Sequence, residues 1–72
     1  MEVIDQGNGG SVTVRLQHDE LLAVNNALNE VLNGPDSIED WEFRTRMGVE
    51  AAEARALLKA VGATFERLQR VH

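Results

Sequence analysis

Asn33-Gly34-Pro35 is the feature that most constrains this 72-residue chain. Pro35 lacks the amide that a helix needs and pushes Gly34 out of the helical region, so no helix continues across this tripeptide. Apolar residues recur at spacings of three and four on both sides of it. Upstream, Leu21, Val24, Leu28, Val31 and Leu32, with Ala27 on the flank, form the broad stripe of a core helix over about Asp19 to Asn33. Downstream, Ala54, Leu57, Leu58, Val61, Phe65, Leu68 and Val71 follow the same rule among strong helix formers, predicting a second helix from Glu50 to about Val71. Two amphipathic helices must therefore bury their stripes in one core. Gly62 lies inside the second, where glycine costs about 1 kcal/mol relative to alanine and invites a kink or break. Gly34 is expected to end the first helix in the left-handed conformation.

The N-terminal third reads as β structure. Val12, Val14 and Leu16 alternate on one face of a predicted strand. Gln6-Gly7-Asn8-Gly9-Gly10 before it is a turn if Val3-Ile4 forms a partner strand, and otherwise part of a flexible leader. Without that partner, the second strand has an open edge that invites pairing with another copy. His18-Asp19-Glu20 places carboxylates at a helix N-terminus, where they complement the dipole. Between Asp36 and Met47, Trp41, Phe43 and Thr45 alternate as in a strand, while Ile38, Trp41 and Thr45 also share a helix face. A short helix is favoured, because Ser37 and Asp40 have capping-box spacing and Gly48 suits a C-terminal positive φ. The expected fold is α+β: a small N-terminal strand or hairpin followed by three helices, the middle one short. Residues 1–10 are leader or first strand plus turn, and 11–72 a single compact domain. Val12, Val14 and Leu16 are expected to lie on the helical stripes, with Ile38, Trp41, Phe43 and Met47 closing one end of the core.

A chain this short buries only about 60% of the surface its unfolded form exposes, so its core is marginal. There is no cysteine, which removes disulfides, thiolate metal sites and thiol nucleophiles, and His18 and His72 are the only histidines. Oligomerisation is the remaining source of stability. The formal net charge of −5 is uneven: residues 1–40 hold eight acidic groups against Arg15, and residues 41–72 hold six basic against four. The halves, near −7 and +2, could neutralise one another within the fold or across a head-to-tail or two-fold dimer. The N-terminus lacks the basic and apolar regions of a signal peptide, and no apolar run reaches the roughly 18 residues of a membrane span. A soluble, cytoplasmic protein with no membrane contact is expected.

Four asparagines in the first helix oppose its own propensity, since the amide competes with the backbone for hydrogen bonds. Asn25, Asn29 and Asn33 form a row at spacing four beside Leu22, with Asn26 adjacent. Either Asn25 or Asn29 ties down carbonyls of the Gly34–Ile38 loop or the strand while Asn33 caps the helix, or the row is a partner surface. Trp41, the sole tryptophan, belongs to the core by size; exposed beside Arg44, it would instead anchor an interface. The surface residues to examine are thus Leu22, Asn25, Asn26, Asn29, Asn33, Trp41 and Arg44.

Arg46-Met47-Gly48-Val49 resembles the turn of a DNA-binding helix-turn-helix, with Phe43, Met47, Val49, Ala54 and Leu57 at positions such motifs keep apolar. Arg44 replaces the usual small residue, and Glu50-Ala51-Ala52-Glu53 would bring carboxylates towards phosphates, which disfavours nucleic acid. Asp36, Glu39, Asp40 and Glu42 cluster around Trp41 without calcium-loop spacing, so they are read as helix-start acids. No base, orienter and nucleophile can be placed together, and Asp19-Glu20 and Glu39-Asp40 are poorly placed to share a substrate, so no catalytic residue, metal or cofactor is expected. The leading expectation is an interaction or accessory module of bacterial type. It would act as a homodimer or with another protein through the first helix. A helix-turn-helix transcription-associated protein and a small-ligand-binding domain are the alternatives.

Overall fold

The computed structural model describes residues 1–7 and 9–71, the last by its backbone. Asn8 of the turn, the side chain of Val71 in the apolar stripe, and His72 lie outside the described residues. Strands β1 (Glu2–Gln6) and β2 (Val12–Arg15) form an antiparallel hairpin, followed by helices α1 (His18–Asn33), α2 (Asp40–Met47) and α3 (Ala51–Val71). The α+β architecture expected from the sequence is the one observed. Val3-Ile4 does build a first strand, and Gly9 and Gly10 both hold positive φ in the turn that returns the chain.

Helix α1 starts as its acidic first turn predicts. The Gln17 amide donates to the Glu20 carboxylate at 2.9 Å, and the Met1 ammonium also reaches Glu20. These donors hold the Glu20 carboxyl below its ordinary pKa, the ammonium contributing most and the Gln17 amide next. At the other end, Gly34 is extended (φ −73°, ψ 172°) rather than left-handed, because Pro35 forbids the turn a left-handed residue would make. What the position requires of Gly34 is space: a Cβ there would lie 2.6 Å from the Glu30 carbonyl oxygen. The amide of Ile38 then returns to the Val31 carbonyl at 2.9 Å, pinning the loop to α1.

The capping box expected from Ser37 and Asp40 does not form. The residue before α2 is Glu39, without a side-chain cap, and Asp40 instead accepts a 2.7 Å hydrogen bond from Arg55 of α3. Gly48 ends α2 in the left-handed conformation, φ 83°, as expected. Helix α3 runs unbroken through Gly62, so no kink or break occurs there.

Antiparallel α1 and α3 face one another along the Leu21, Leu28 and Leu32 stripe, and the His18 and Phe65 rings meet at 5.0 Å at one end. At the other end Leu32, Phe43, Ala51 and Ala54 form the core, flanked by half-buried Val31, Ile38 and Leu58. Phe43 is fully enclosed. A helix with Phe43 inward turns Trp41, two residues away, by about 200° to the far side. Trp41 is accordingly 82% exposed, and Met47 is also exposed, so Ile38 and Phe43 alone of the expected four close the core.

The expected packing of Val12, Val14 and Leu16 on the helices is absent. The hairpin makes no close backbone approach to any helix, and Val12 and Val14 are exposed, with Leu16 half-buried. The molecule extends 35 × 32 × 16 Å, with a radius of gyration of 13.7 Å, against about 11 Å for a chain of this length.

Candidate interaction surfaces

Helix α1 presents its asparagines on one side of the α1–α3 layer. A helical residue is followed on the same face by those three and four positions away, so Leu22, Asn25, Asn29 and Asn33 share the flank that Leu21 and Leu28 leave to solvent. Asn33 donates to the Asn29 side-chain oxygen at 3.0 Å, and Asn25 to that of Asn26 at 3.4 Å. These bonds join amide to amide along the helix. None runs to the Gly34–Ile38 loop, whose amides bond backbone carbonyls instead: Gly34 to Glu30, Ser37 to Gly34 and Ile38 to Val31. The anchoring role considered for Asn25 and Asn29 is therefore not what their side chains do here, and Asn33 is not a backbone cap.

Asn25 is half-buried while Asn26, Asn29 and Asn33 are exposed. The difference comes from α3: a methyl on Gly62 would sit 3.6 Å from the Asn25 side-chain oxygen. Asn25 and Asn29 on α1, with Leu58, Lys59, Gly62 and Glu66 on α3, line an open groove of about 380 Å³. One wall carries amides, the other a cation and a carboxylate, and the floor is aliphatic. Sequence reasoning found the α1 wall. The α3 wall has one signal in retrospect: a glycine inside an otherwise strong helix lowers the groove floor where Asn25 faces it.

Trp41 and Arg44 belong to a second surface. They lie three positions apart on α2, hence on one side of that helix, and α2 makes no close backbone approach to α1. The seven surface residues singled out in the sequence thus divide into an α1 flank and an α2 patch. Arg44 donates to Glu50 at 3.1 Å across the α2–α3 corner, with both groups largely exposed. Asp40 is similarly paired with Arg55. Both pairs are exposed, and solvated pairs contribute little net energy.

The α2–Gly48–α3 corner does have the sequence spacing of a helix-turn-helix. The helix that follows the turn begins with Ala51 buried and Glu53 exposed, and Arg44 donates to Glu50. The side chains of the first turn of α3 therefore offer a carboxylate rather than a phosphate-binding cation. Among the described residues, no group of three or more His, Asp or Glu side chains is placed to hold a metal ion, and no helix is long and apolar enough to cross a membrane. His18 lies against Phe65, and its nearest polar partner is Asp19 at 3.4 Å. Comparison with known proteins finds no matching family model, no significantly similar curated protein and no significantly similar solved structure.

Proposed function

We propose that the chain is a protein-contact module that works as a homodimer and offers its α1 flank and α2 patch to a further protein. The observation that carries this reading is the surface left uncovered. The chain exposes 5674 Å², whereas an 8.0 kDa monomer of ordinary shape exposes about 4,450 Å². The excess, about 1,200 Å², exceeds the roughly 800 Å² that each partner contributes to a standard interface. Much of it is apolar: Val3, Ile4, Val12, Trp41, Val49 and Leu57 are all exposed. A small domain gains most by covering such surface with protein, since its own core is limited by size.

Trp41 fits the same reading, because a large amphipathic ring held on a short rigid helix loses little entropy when it is covered. The amide flank of α1 supplies directional donors and acceptors around Leu22, which suits a polar-rimmed contact. Sedimentation equilibrium at micromolar concentration is the test. Twice the 8.0 kDa chain mass is expected, and a single-chain mass across the whole concentration range rejects the homodimer.

A further inference from the structure

The hairpin is tied at its root, where the Met1 ammonium reaches Glu20 and β2 leads into α1, but its strands make no close backbone approach to any helix. Its register pairs Glu2 with Arg15, Val3 with Val14, Asp5 with Thr13 and Gln6 with Val12, with a bulge between Val3 and Asp5. Paired residues share a face, so Val3, Val12 and Val14 lie together with Gln6 at one end, and Glu2, Asp5, Thr13 and Arg15 lie on the other. The 3.0 Å bond from Arg15 to Glu2 spans that polar face. The hairpin is thus amphipathic, yet Val3 and Val12 are each more than half exposed. Two strands without a covering layer are marginal in water.

The helical layer has the complementary deficit. Its groove side carries the asparagines, and its opposite side carries Val24 and Val31 of α1 with Leu57, Val61 and Leu68 of α3. Helix α2 covers the end of the layer near Phe43, while Val24 and Leu57 remain exposed. A sheet with an apolar face and a helix pair with an apolar side normally form one two-layer domain. Here they belong to one chain, and neither strand makes a close backbone approach to a helix.

We propose that a second copy of this chain supplies the missing layer: the hairpin of each copy lies across the Val24–Leu57 side of the other, about a two-fold axis. This rests on the homodimer reading above and adds where the copies meet. Both patches repeat on each copy, so one rotation satisfies two hairpins and two helix flanks, which closes the assembly at two. Charge points to the same occupant. Each copy carries −5, so identical chains repel unless the contact keeps the carboxylates of one copy away from those of the other. The hairpin's three charged side chains, Glu2, Asp5 and Arg15, all sit on its polar face, so Glu20 and Glu53, one turn before Val24 and Leu57 on the helix flank, would meet an uncharged surface. Apposition of α1 with α1 would instead bring together Asp19, Glu20 and Glu30, with no lysine or arginine in the helix.

Sedimentation equilibrium of four proteins tests the arrangement: the native chain, Val12→Lys on the hairpin, Leu57→Lys on the helix flank, and Asn29→Ala on the groove side. The native chain and Asn29→Ala are expected to be dimers, and the two lysine variants to dissociate at least a hundredfold more readily, because each buries an unpaired ammonium. A native dimer in which Leu57→Lys still associates like the native chain would overturn the hairpin-on-helix contact while leaving the homodimer standing. A native monomer overturns both. Should a lysine variant lose its helical circular dichroism, hydrogen exchange of the unaltered chain decides. Amides of β1 and β2 are expected to gain protection as concentration rises through the dissociation constant, and concentration-independent exchange there refutes the contact.

Discussion

Replacing Gly62 by alanine separates two reasons a glycine can occur in a core helix: a need for space, or a tolerated weakness. The structure favours the second. Gly62 is helical, and an added methyl meets the Asn25 side-chain oxygen at 3.6 Å, an ordinary van der Waals contact. The change therefore removes the entropic penalty of glycine, about 1 kcal/mol, without a compensating clash. For a domain of this size, total stability is on the order of 4–11 kcal/mol, so the gain is a sizeable fraction. It corresponds to a melting temperature raised by about 4–8 °C. Urea denaturation followed by helical circular dichroism, at one fixed protein concentration, gives the free energy directly, and an unchanged m-value assigns it to stability. A lower midpoint for Gly62→Ala would refute the reasoning, since α1 and α3 would then have to approach more closely at Asn25 than the structure shows. Gly48→Ala is the control of opposite sign: φ is 83° there, and a side chain costs about 1–2 kcal/mol.

Phe43→Ala empties the one fully enclosed large side chain among the described residues and should cost about 3–5 kcal/mol, read as a much lower urea midpoint by circular dichroism. Gly34→Ala places a methyl 2.6 Å from the Glu30 carbonyl oxygen and should destabilise by about 1–3 kcal/mol in the same urea assay, although φ there suits any residue. Glu20 has a depressed pKa, so its contribution is fully present above its ordinary value of 4.5 and is lost as pH falls through the lowered one. Stability measured against pH should therefore show a shallower acid limb in Glu20→Gln, and an identical limb would remove Glu20 from the N-terminal tie. Trp41→Ala should leave the melting temperature within about 1 °C, since a mostly exposed ring contributes little to the fold, and a large drop would mean the ring is covered in the free protein.

The breaks in this chain were legible because each rests on local chemistry. Pro35 stops α1 whatever surrounds it, and Gly48 ends α2 because a left-handed residue is needed there. The stripes of α1 and α3 were legible for the same reason: a 3.6-residue period places Leu21, Leu28 and Leu32 on one side before any partner exists. Boundaries were less secure at α2, where eight residues span only two turns and the helix and strand periods overlap. There Phe43 rather than Trp41 took the core. Both are large and apolar, so what decided between them was which side of the helix beginning at Asp40 packs against Leu32, Ala51 and Ala54.

The candidate surfaces divide in the same way. Asparagines against their propensity marked the α1 flank, and the row was visible from spacing alone. The α3 wall of its groove was not, because Lys59, Gly62 and Glu66 become neighbours of Asn25 only when two helices are laid antiparallel. The sequence by itself determined the strand around Val12 and Val14, the two long amphipathic helices and their stops, since period, turn residues and breakers act within a few residues of one another. It left open whether Val3-Ile4 pairs and whether the segment around Trp41 is helix or strand. Only the tertiary structure decided that the hairpin's apolar face and the helices' apolar side do not meet within one chain. Alternation of Val12, Val14 and Leu16 states that a strand has an apolar face; it carries no information about which surface covers it.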